Sequence, residues 1–328
     1  MTSSRAAQVD GPASGAAPWT DVRACIMYCG MAPRLVSELA SIRGLRVQVT
    51  DQVGPEARDA DVLIGYHFPP GSLADLPRLR WLHLTGTGTD HLAATGLSPE
   101  VPVTTSAAVP VTAVAEYALS GLLLLLKDLP DLTRRRNAEW FRSDALLLSG
   151  STVAVVGAGR IGRAVLTRLA ALGAHPVAVT RDGAAAVPQA RRTIGIASLA
   201  REAKDFDHLI ACLPGGPRTR GLIGREVLAA LPSHAVIVNV GRGETIDNIA
   251  LHAALRSGHL RGAFIDVHEQ EPLPDDDPAW DVPRLVVSPH RAFAFPDEPA
   301  EVARTFLANL DDFRRGIPFS DRWQPKEG

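Results

Sequence analysis

The stretch TVAVVGAGRIGRAV, Thr152–Val165, limits the folds open to this chain more than any other. Gly157, Gly159 and Gly162 stand in G-x-G-x-x-G spacing. An apolar run leads in, and a segment with Ile161, Val165 and Leu169 on one helical face leads out. A lone match of this kind carries little, but a strand before it and a helix after it are the context in which it binds a dinucleotide. The first glycine permits the tight turn, the second lets backbone approach a pyrophosphate, and the third allows the helix to pack closely on the sheet. The helix start, with Arg160 and Ile161, presents unpaired N–H groups and a positive dipole end to phosphate. A Gly-rich turn of purely structural use is the plainer alternative for these residues taken alone.

Such a unit implies a parallel sheet, and the rest of the chain repeats the pattern. RACIMYC, LRVQVT, ADVLIGY and LRWLHL read as strands, with APRLVSELASI as a helix among them. LRWLHL runs into a Gly-rich turn, GTGTDHL. A long apolar helix, TAVAEYALSGLLLLLKDL, and a charged stretch, RRRNAEWFRSD, come next. After the glycine turn, HPVAVT, HLIACL, AVIVNV, GAFIDV and RLVVS form a second series of strands. The closing segment PAEVARTFLANLDDFRRG carries Val302, Phe306, Leu310 and Phe313 on one face, as a helix with one buried side would. The expected class is therefore α/β, with two doubly wound parallel-sheet domains.

At 328 residues the chain is long enough for two domains, each with a core. Its 34 basic and 36 acidic residues leave a formal charge of −2, so charge gives no case for a nucleic-acid or membrane-surface partner. Cys25, Cys29 and Cys212 are too few for a disulfide framework and suit a reducing compartment. Cys25 and Cys29 share a strand face with no histidine nearby in sequence, which favours a thiol pair over a metal site, and no metal is expected. YALSGLLLLL is cut by Lys127 and Asp128 too soon to span a bilayer. Residues 1–20, small, polar and Gly/Pro-dotted, read as a disordered tail without a signal-peptide core. A soluble cytoplasmic protein is expected.

Nucleotide choice is read at the end of the strand after the glycine turn, where an NAD site usually places a carboxylate for the ribose. Here Thr180 and Arg181 stand there, with Asp182 just beyond. A hydroxyl and a guanidinium suit a 2′-phosphate, which favours NADP(H) with NAD(H) as runner-up. The plain alternative is that Arg181 faces solvent and Asp182 serves the ribose.

Three further motifs follow in order: VIVNVGRGETIDNIAL, GAFIDVHEQEPLP and VVSPHRAFAF. Together with the glycine turn they resemble the D-2-hydroxyacid dehydrogenase family over nearly the whole chain after the tail. Within it the glyoxylate/hydroxypyruvate reductase-like members are most similar. The resemblance implies a Rossmann cofactor domain, residues 106–291, inserted into a smaller flavodoxin-like substrate domain of residues 21–105 and 292–328. It implies a homodimer, for which the apolar AEYALSGLLLLL looks uncomfortable if exposed, although burial inside one subunit would also satisfy it. It makes Arg242, in an N-x-x-R-G pattern, the substrate-binding arginine, Glu271 the acid before Pro272, and His290 the histidine after Pro289. Asp266 becomes the aspartate near the nicotinamide. Thr87 and Gly88, in GTGTDHL, become backbone donors to the substrate carboxylate. Leu213, Pro214, Thr219, Val240 and His290 fall at cofactor-facing positions.

The residue types suit that chemistry independently. Reduction of a 2-keto acid needs a cation for the carboxylate, a polarising donor at the ketone and a proton for the new alkoxide. Arg242 offers a planar fork for a carboxylate. His290 can serve as general acid near neutral pH, and a paired Glu271 would stabilise its imidazolium. Each alone has a dull reading as a surface cation, a loop acid or a satisfied core group. Among the other histidines, His91 beside Asp90, and His268 with Glu269, do not join the set, while His67 and His83 are candidates to line the substrate site.

Three departures stand out. Arg291, Ala292 and Phe293 follow the histidine where small or apolar residues are usual, and Arg291 is placed either to read a second anion or to face solvent. Pro110 stands where an asparagine is common. LPGGPRT replaces a more regular linker, which predicts a looser cofactor-contacting turn. Two other readings remain: the same apparatus acting on phosphite, with formate disfavoured by Glu271, or a non-enzymatic NAD(P)-sensing scaffold.

Overall fold

The computed structural model describes residues 20–27, 31–134, 144–319 and 322–323. Residues 1–19 of the expected tail, Cys29 of the thiol pair and most of the charged stretch before residue 144 lie outside the described residues. The chain divides into two compact units, Met1–Pro110 with Phe295–Gly328, and Val111–Ala294. In chain order the first part holds β1 (Val22–Met27), α1 (Ala32–Leu39), β2 (Leu45–Thr50), α2 (Pro55–Arg58), β3 (Val62–Gly65), β4 (Trp81–Leu84) and β5 (Val103–Thr105). The second unit holds α3 (Val111–Leu126), α4 (Leu129–Arg134), β6 (Thr152–Val156), α5 (Arg160–Ala171), β7 (His175–Thr180) and β8 (Arg192–Gly195). It continues with α6 (Leu199–Glu202), β9 (His208–Ala211), α7 (Arg225–Ala230), β10 (Val236–Asn239), α8 (Asn248–Arg256), β11 (Gly262–Ile265) and β12 (Leu285–Val287). Helix α9 (Glu298–Arg315) then returns to the first unit.

In the first unit the five strands pair in parallel in the order β2-β1-β3-β4-β5. That is the flavodoxin-like order, and it needs a crossover between strands, which is why helical and loop segments alternate with them. Strands β3 and β4 are buried along their whole length, as parallel strands covered on both faces must be. Helix α9 lays Val302, Phe306, Leu310 and Phe313 into the core, with Phe306 stacked on Trp81 at 4.9 Å between ring centroids.

The second unit is a seven-stranded sheet in the order β12-β11-β10-β9-β6-β7-β8. Its pairs are all parallel, and the crossover between β8 and β9 reverses the direction of winding at β6, the Rossmann arrangement. Alternation along β6 splits the core: Ala154 and Val156 face one layer of helices, Val153 and Val155 the other. The apolar α3 belongs to the second layer. Its Ala118, Leu122 and Leu126 are fully buried in the layer with Val165, Leu166 and Leu169 of α5, over β10 and β11. The apolarity of AEYALSGLLLLL is thus satisfied inside this unit and requires no second subunit, a correction to the motive for a dimer. Edge strand β8, with the sequence RTIG, carries too little apolar alternation to be read from sequence. No helix among the described residues is long and apolar enough to cross a membrane.

His83, a candidate to line the substrate site, sits instead in the core of the first unit. It is fully buried on β4, with Nδ1 at 2.8 Å from Thr104 Oγ1 and Nε2 at 3.0 Å from Ser106 Oγ. Burial pushes its imidazole down to about 3. The folded protein therefore holds it neutral, while the unfolded chain protonates it below its ordinary value of about 6.5. The stability this confers is fully present above that value and drains away as pH falls toward the folded one. Between about pH 7 and about pH 5 the His83 contribution to the loss should be on the order of 2 kcal/mol. Chemical unfolding of wild type and His83→Gln across that range should show the variant with the shallower slope. Equal slopes would mean that His83 is not held neutral by the fold.

Candidate functional site

The residues marked by sequence in the second unit leave the sheet at one edge. Gly157 follows β6, Thr180 ends β7, Leu213 lies two residues beyond β9, and Asn239 ends β10. Asp266 follows β11 and Ser288 follows β12. The register aligns these ends: Val156 lies opposite Val179 and Ala211, and Asn239 opposite Ala211 and Ile265, itself opposite Val287. Ligands of open α/β sheets bind outside these carboxyl ends, near the point where strand order reverses.

The glycine turn is built for close contact. A Cβ on Gly162 would stand 1.8 Å from the Gly157 carbonyl oxygen, so only glycine allows α5 to start there. Gly159 is the N-cap of α5, offering no side chain to the first N–H groups, and the helix has no acidic residue in its first turn. A Cβ on Gly159 would meet no protein atom within 4 Å. Open space in front of uncapped N–H groups fits a pyrophosphate.

At the end of β7, Thr180 Oγ1 accepts a hydrogen bond from Gly183 N at 3.1 Å, and Asp182 Oδ1 accepts one from Ala184 N at 2.9 Å. Both side chains are thus engaged by their own turn. Arg181 is exposed between them.

The LPGGPRT linker is not loose. Thr219 Oγ1 donates to Pro214 O at 2.8 Å, Gly216 N donates to Glu244 Oε1 at 2.6 Å, and Arg220 pairs with the same carboxylate. Local hydrogen bonding replaces the regular linker sequence, so the predicted looseness is corrected. Thr219 spends its hydroxyl on this closure, while Leu213 and Val240 are buried and Pro214 is exposed.

Arg242 rides on a loop folded around Asn239. The buried Asn239 donates from Nδ2 to Arg242 O at 3.0 Å and accepts from Gly241 N at 3.0 Å. Thr245 Oγ1 donates to Arg242 O at 2.6 Å, and Arg242 Nη1 donates to Gly241 O at 2.9 Å. Gly243 lets this loop touch the next one, for its Cβ would lie 2.1 Å from the His268 carbonyl carbon. The N-x-x-R-G pattern is therefore a folding unit: the amide shapes the loop, the arginine bonds back to it through Nη1, and the glycine permits the contact.

The next loops bring Glu271 and His290 together. His290 Nδ1 donates to Glu271 Oε2 at 2.6 Å, and His268 N donates to Glu271 Oε1 at 2.8 Å. Burial pushes the Glu271 carboxyl up, but the bonds from His290 and His268 outweigh it and hold the group below its ordinary value. Glu269 turns elsewhere, accepting from Asn248 Nδ2 at 3.1 Å. His268 donates from Nε2 to Ser288 O at 2.9 Å, tying the two loops. With Nδ1 bound to Glu271, the His290 ring directs Nε2 away from it, where a reacting oxygen can meet it. Phe293 packs edge-on against that ring at 6.0 Å between centroids.

Asp266 is almost wholly buried and accepts from Ser288 Oγ, Arg291 N and Ala292 N, at 2.5, 3.0 and 3.0 Å. Ser288 and its neighbour Tyr117, whose hydroxyl lies 2.8 Å from Ser288 Oγ, were not singled out by sequence. A serine before a proline and a tyrosine in an apolar helix carry no local signal of function. Among the described residues, no cluster of three or more His, Cys, Asp or Glu is placed to hold a metal ion.

Thr87 and Gly88 lie in the other unit, on the loop after β4. There Gly88 N donates to the Tyr66 hydroxyl at 3.1 Å, and Thr87 Oγ1 donates to Ala107 O at 3.5 Å. Tyr66 also packs against His67 and His91, at 4.9 and 5.1 Å between ring centroids.

Comparison with known proteins matches residues 119–292 to the D-isomer specific 2-hydroxyacid dehydrogenase NAD binding domain. A D-3-phosphoglycerate dehydrogenase of Mycobacterium leprae is 37% identical over 231 residues, 66% of this chain, which spans 42% of that relative. The chain thus covers less than half the length of that relative. A glyoxylate/hydroxypyruvate reductase A of Klebsiella pneumoniae is 31% identical over 214 residues, covering 65% of this chain and 68% of the relative. Among solved structures, a D-isomer specific 2-hydroxyacid dehydrogenase of Xanthobacter autotrophicus, in complex with NADPH and MES, superposes with a TM-score of 0.80. It is 28% identical and covers 93% of this chain and 98% of its own.

The open space at Gly159 gives a direct test of the phosphate turn. Gly159→Ala should leave the thermal unfolding midpoint within about 2 °C, because the new methyl touches nothing. It should weaken NADPH binding about tenfold or more, because the methyl occupies the approach to the N–H groups. Fluorescence titration and calorimetry on the same preparation decide it. Unchanged NADPH affinity would remove this turn from the nucleotide site.

Proposed function

The chain belongs to the D-isomer specific 2-hydroxyacid dehydrogenase family, and from that premise we propose that it reduces small 2-keto acids to D-2-hydroxy acids with a nicotinamide cofactor, reversibly. The observation that carries this reading is the 2.6 Å pair of His290 and Glu271 at the strand-end edge that also bears the glycine turn and the Arg242 loop. In the proposal, the N–H groups at the start of α5 and the backbone around Gly157 and Gly159 hold the pyrophosphate. The bound cofactor supplies or accepts the hydride. Arg242 grips the substrate carboxylate with its planar fork. His290 Nε2 donates a proton to the ketone oxygen as hydride reaches the keto carbon, and takes it back in the reverse direction. Glu271 orients the ring through Nδ1 and offsets its positive charge. Thr87 and Gly88 are proposed as further donors to the substrate carboxylate.

NADPH is the proposed cofactor. The support is Arg181, exposed at the ribose end while Thr180 and Asp182 are held by their own turn. The Xanthobacter relative, solved with NADPH, agrees with this choice. Glyoxylate and hydroxypyruvate are the proposed substrates, on the likeness to the Klebsiella reductase. A cytoplasmic setting is supported by Cys25 and Cys212, both free thiols. A homodimer is proposed for the assembly, supported by Leu129, Leu132 and Leu147, exposed at 42, 41 and 74%.

A panel of 2-keto acids against NADPH and NADH tests the reading. Turnover of glyoxylate or hydroxypyruvate, with NADPH preferred, is expected. Turnover of phosphite alone, or nucleotide binding without turnover, would replace it with the other anion or with a sensor. Arg181→Ala should raise the NADPH KM about tenfold or more and leave the NADH KM nearly unchanged, since it removes a contact that only the 2′-phosphate makes. His290→Gln should lower kcat roughly 10²–10⁴-fold with nucleotide binding retained. In Glu271→Gln the alkaline fall of keto reduction should come at lower pH than in wild type, because the imidazolium has lost its anionic partner. A move to higher pH would contradict the pairing even if activity fell.

A further inference from the structure

His290 adopts φ 48°, the left-handed region that a residue with a side chain rarely occupies. Such a conformation persists only where its surroundings over-determine it. Here they do so through one residue. Asp266 accepts from the N–H groups of Arg291 and Ala292, the two residues after His290, and from Ser288 Oγ, two residues before it. The Asp266 carbonyl also accepts from His290 N at 2.8 Å. Every residue from 288 to 292 except Pro289 is thus bonded to Asp266.

Proton bookkeeping orders the rest of the chain. Ser288 has one hydroxyl hydrogen, and it goes to Asp266 Oδ1 at 2.5 Å. The contact between Tyr117 and Ser288 Oγ, at 2.8 Å, must then be a donation from the tyrosine. Tyr117 to Ser288 to Asp266 is therefore a directed chain ending on a carboxylate, in which each bond polarises the next. It runs from α3, the most apolar helix of the unit, to the turn that bears the histidine.

We propose that Tyr117, Ser288 and Asp266 are positioning residues that lock the His290 turn in its left-handed conformation and so aim its Nε2. None of the three meets substrate in this account, and Asp266 serves the turn first, with three of its roughly four acceptor sites already taken. The inference rests on the reading of His290 as the proton donor. It goes beyond that reading in assigning the aim of the ring to a helix at the back of the turn, whereas Glu271 fixes the ring only through Nδ1.

The test uses Ser288→Ala, Ser288→Thr and Tyr117→Phe in the full chain, with glyoxylate and NADPH. A displaced general acid costs turnover more than binding. Ser288→Ala should lower kcat about 10- to 100-fold, with KM for glyoxylate and Kd for NADPH within about threefold of wild type. Ser288→Thr, which keeps the hydroxyl, should recover most of the rate, and Tyr117→Phe should show a smaller loss of the same kind. A second measurement is independent of any substrate. The Nδ1 proton between His290 and Glu271 should give a downfield proton resonance in wild type and Ser288→Thr that broadens or shifts in Ser288→Ala. A wild type that turns over no keto acid would defeat the proposed function while leaving this resonance to decide the positioning. Retention of both the resonance and kcat in Ser288→Ala, or a loss of NADPH affinity as large as the loss of kcat, would overturn the proposal.

Discussion

Parallel strand pairing in register is the constraint on which the rest of the second unit depends. Parallel neighbours require a crossover, so each strand of β6, β7, β9, β10, β11 and β12 ends on the same edge. Because Asn239, Ile265 and Val287 stand in line across three adjacent strands, the loops that follow them start side by side. Arg242, Glu271 and His290 are far apart in sequence, yet each comes a few residues after one of those ends. Covering the sheet with α3 on one face and α8 on the other leaves that edge as the place where polar side chains can gather. The apolar excess of α3 is part of this arrangement, since it buries the face of β10 and β11 and also delivers the Tyr117 hydroxyl to Ser288.

Two buried polar residues turn those strand ends into shaped loops. Asn239 uses both ends of its amide on the Arg242 loop, and Asp266 gathers the N–H groups after His290. A buried carboxylate or amide is costly unless its hydrogen-bonding capacity is used, so each loop is locked to its own anchor. The glycine at 243 then lets the Arg242 loop rest on the loop of His268 and Glu271. Residues that carry the proposed chemistry are therefore held by residues with no chemistry of their own.

Family membership sets these features in context. The relatives include a phosphoglycerate dehydrogenase and a glyoxylate/hydroxypyruvate reductase, which differ in the anion they take. Arg291 is where this chain departs most from the expected pattern beside the histidine. Its backbone N–H is committed to Asp266, and its side chain is exposed. Thr180 and Asp182 show the same division after β7: side chains spent on a turn leave the neighbouring arginine to the solvent side.

Much of this was legible in the sequence, because it is local or periodic. The glycine spacing, the strand-length apolar runs and the one-sided pattern of α9 follow from steric and hydrophobic rules that act within a few residues. The likeness of NVGRG, EQEPLP and SPHRAF to a family singled out Arg242, Glu271 and His290. Tertiary structure decided what depends on neighbours remote in sequence. It placed His83 in the core between Thr104 and Ser106, put α3 inside the unit, and paired β8, whose RTIG gives no apolar signal, with β7. It turned Glu269 to Asn248 and Glu271 to His290, and it joined Tyr117 to Ser288 across 171 positions. A hydrogen bond depends on where two atoms stand in space, and residue type and spacing carry that information only within a turn or a strand. Beyond that range only the folded chain decides which polar groups meet.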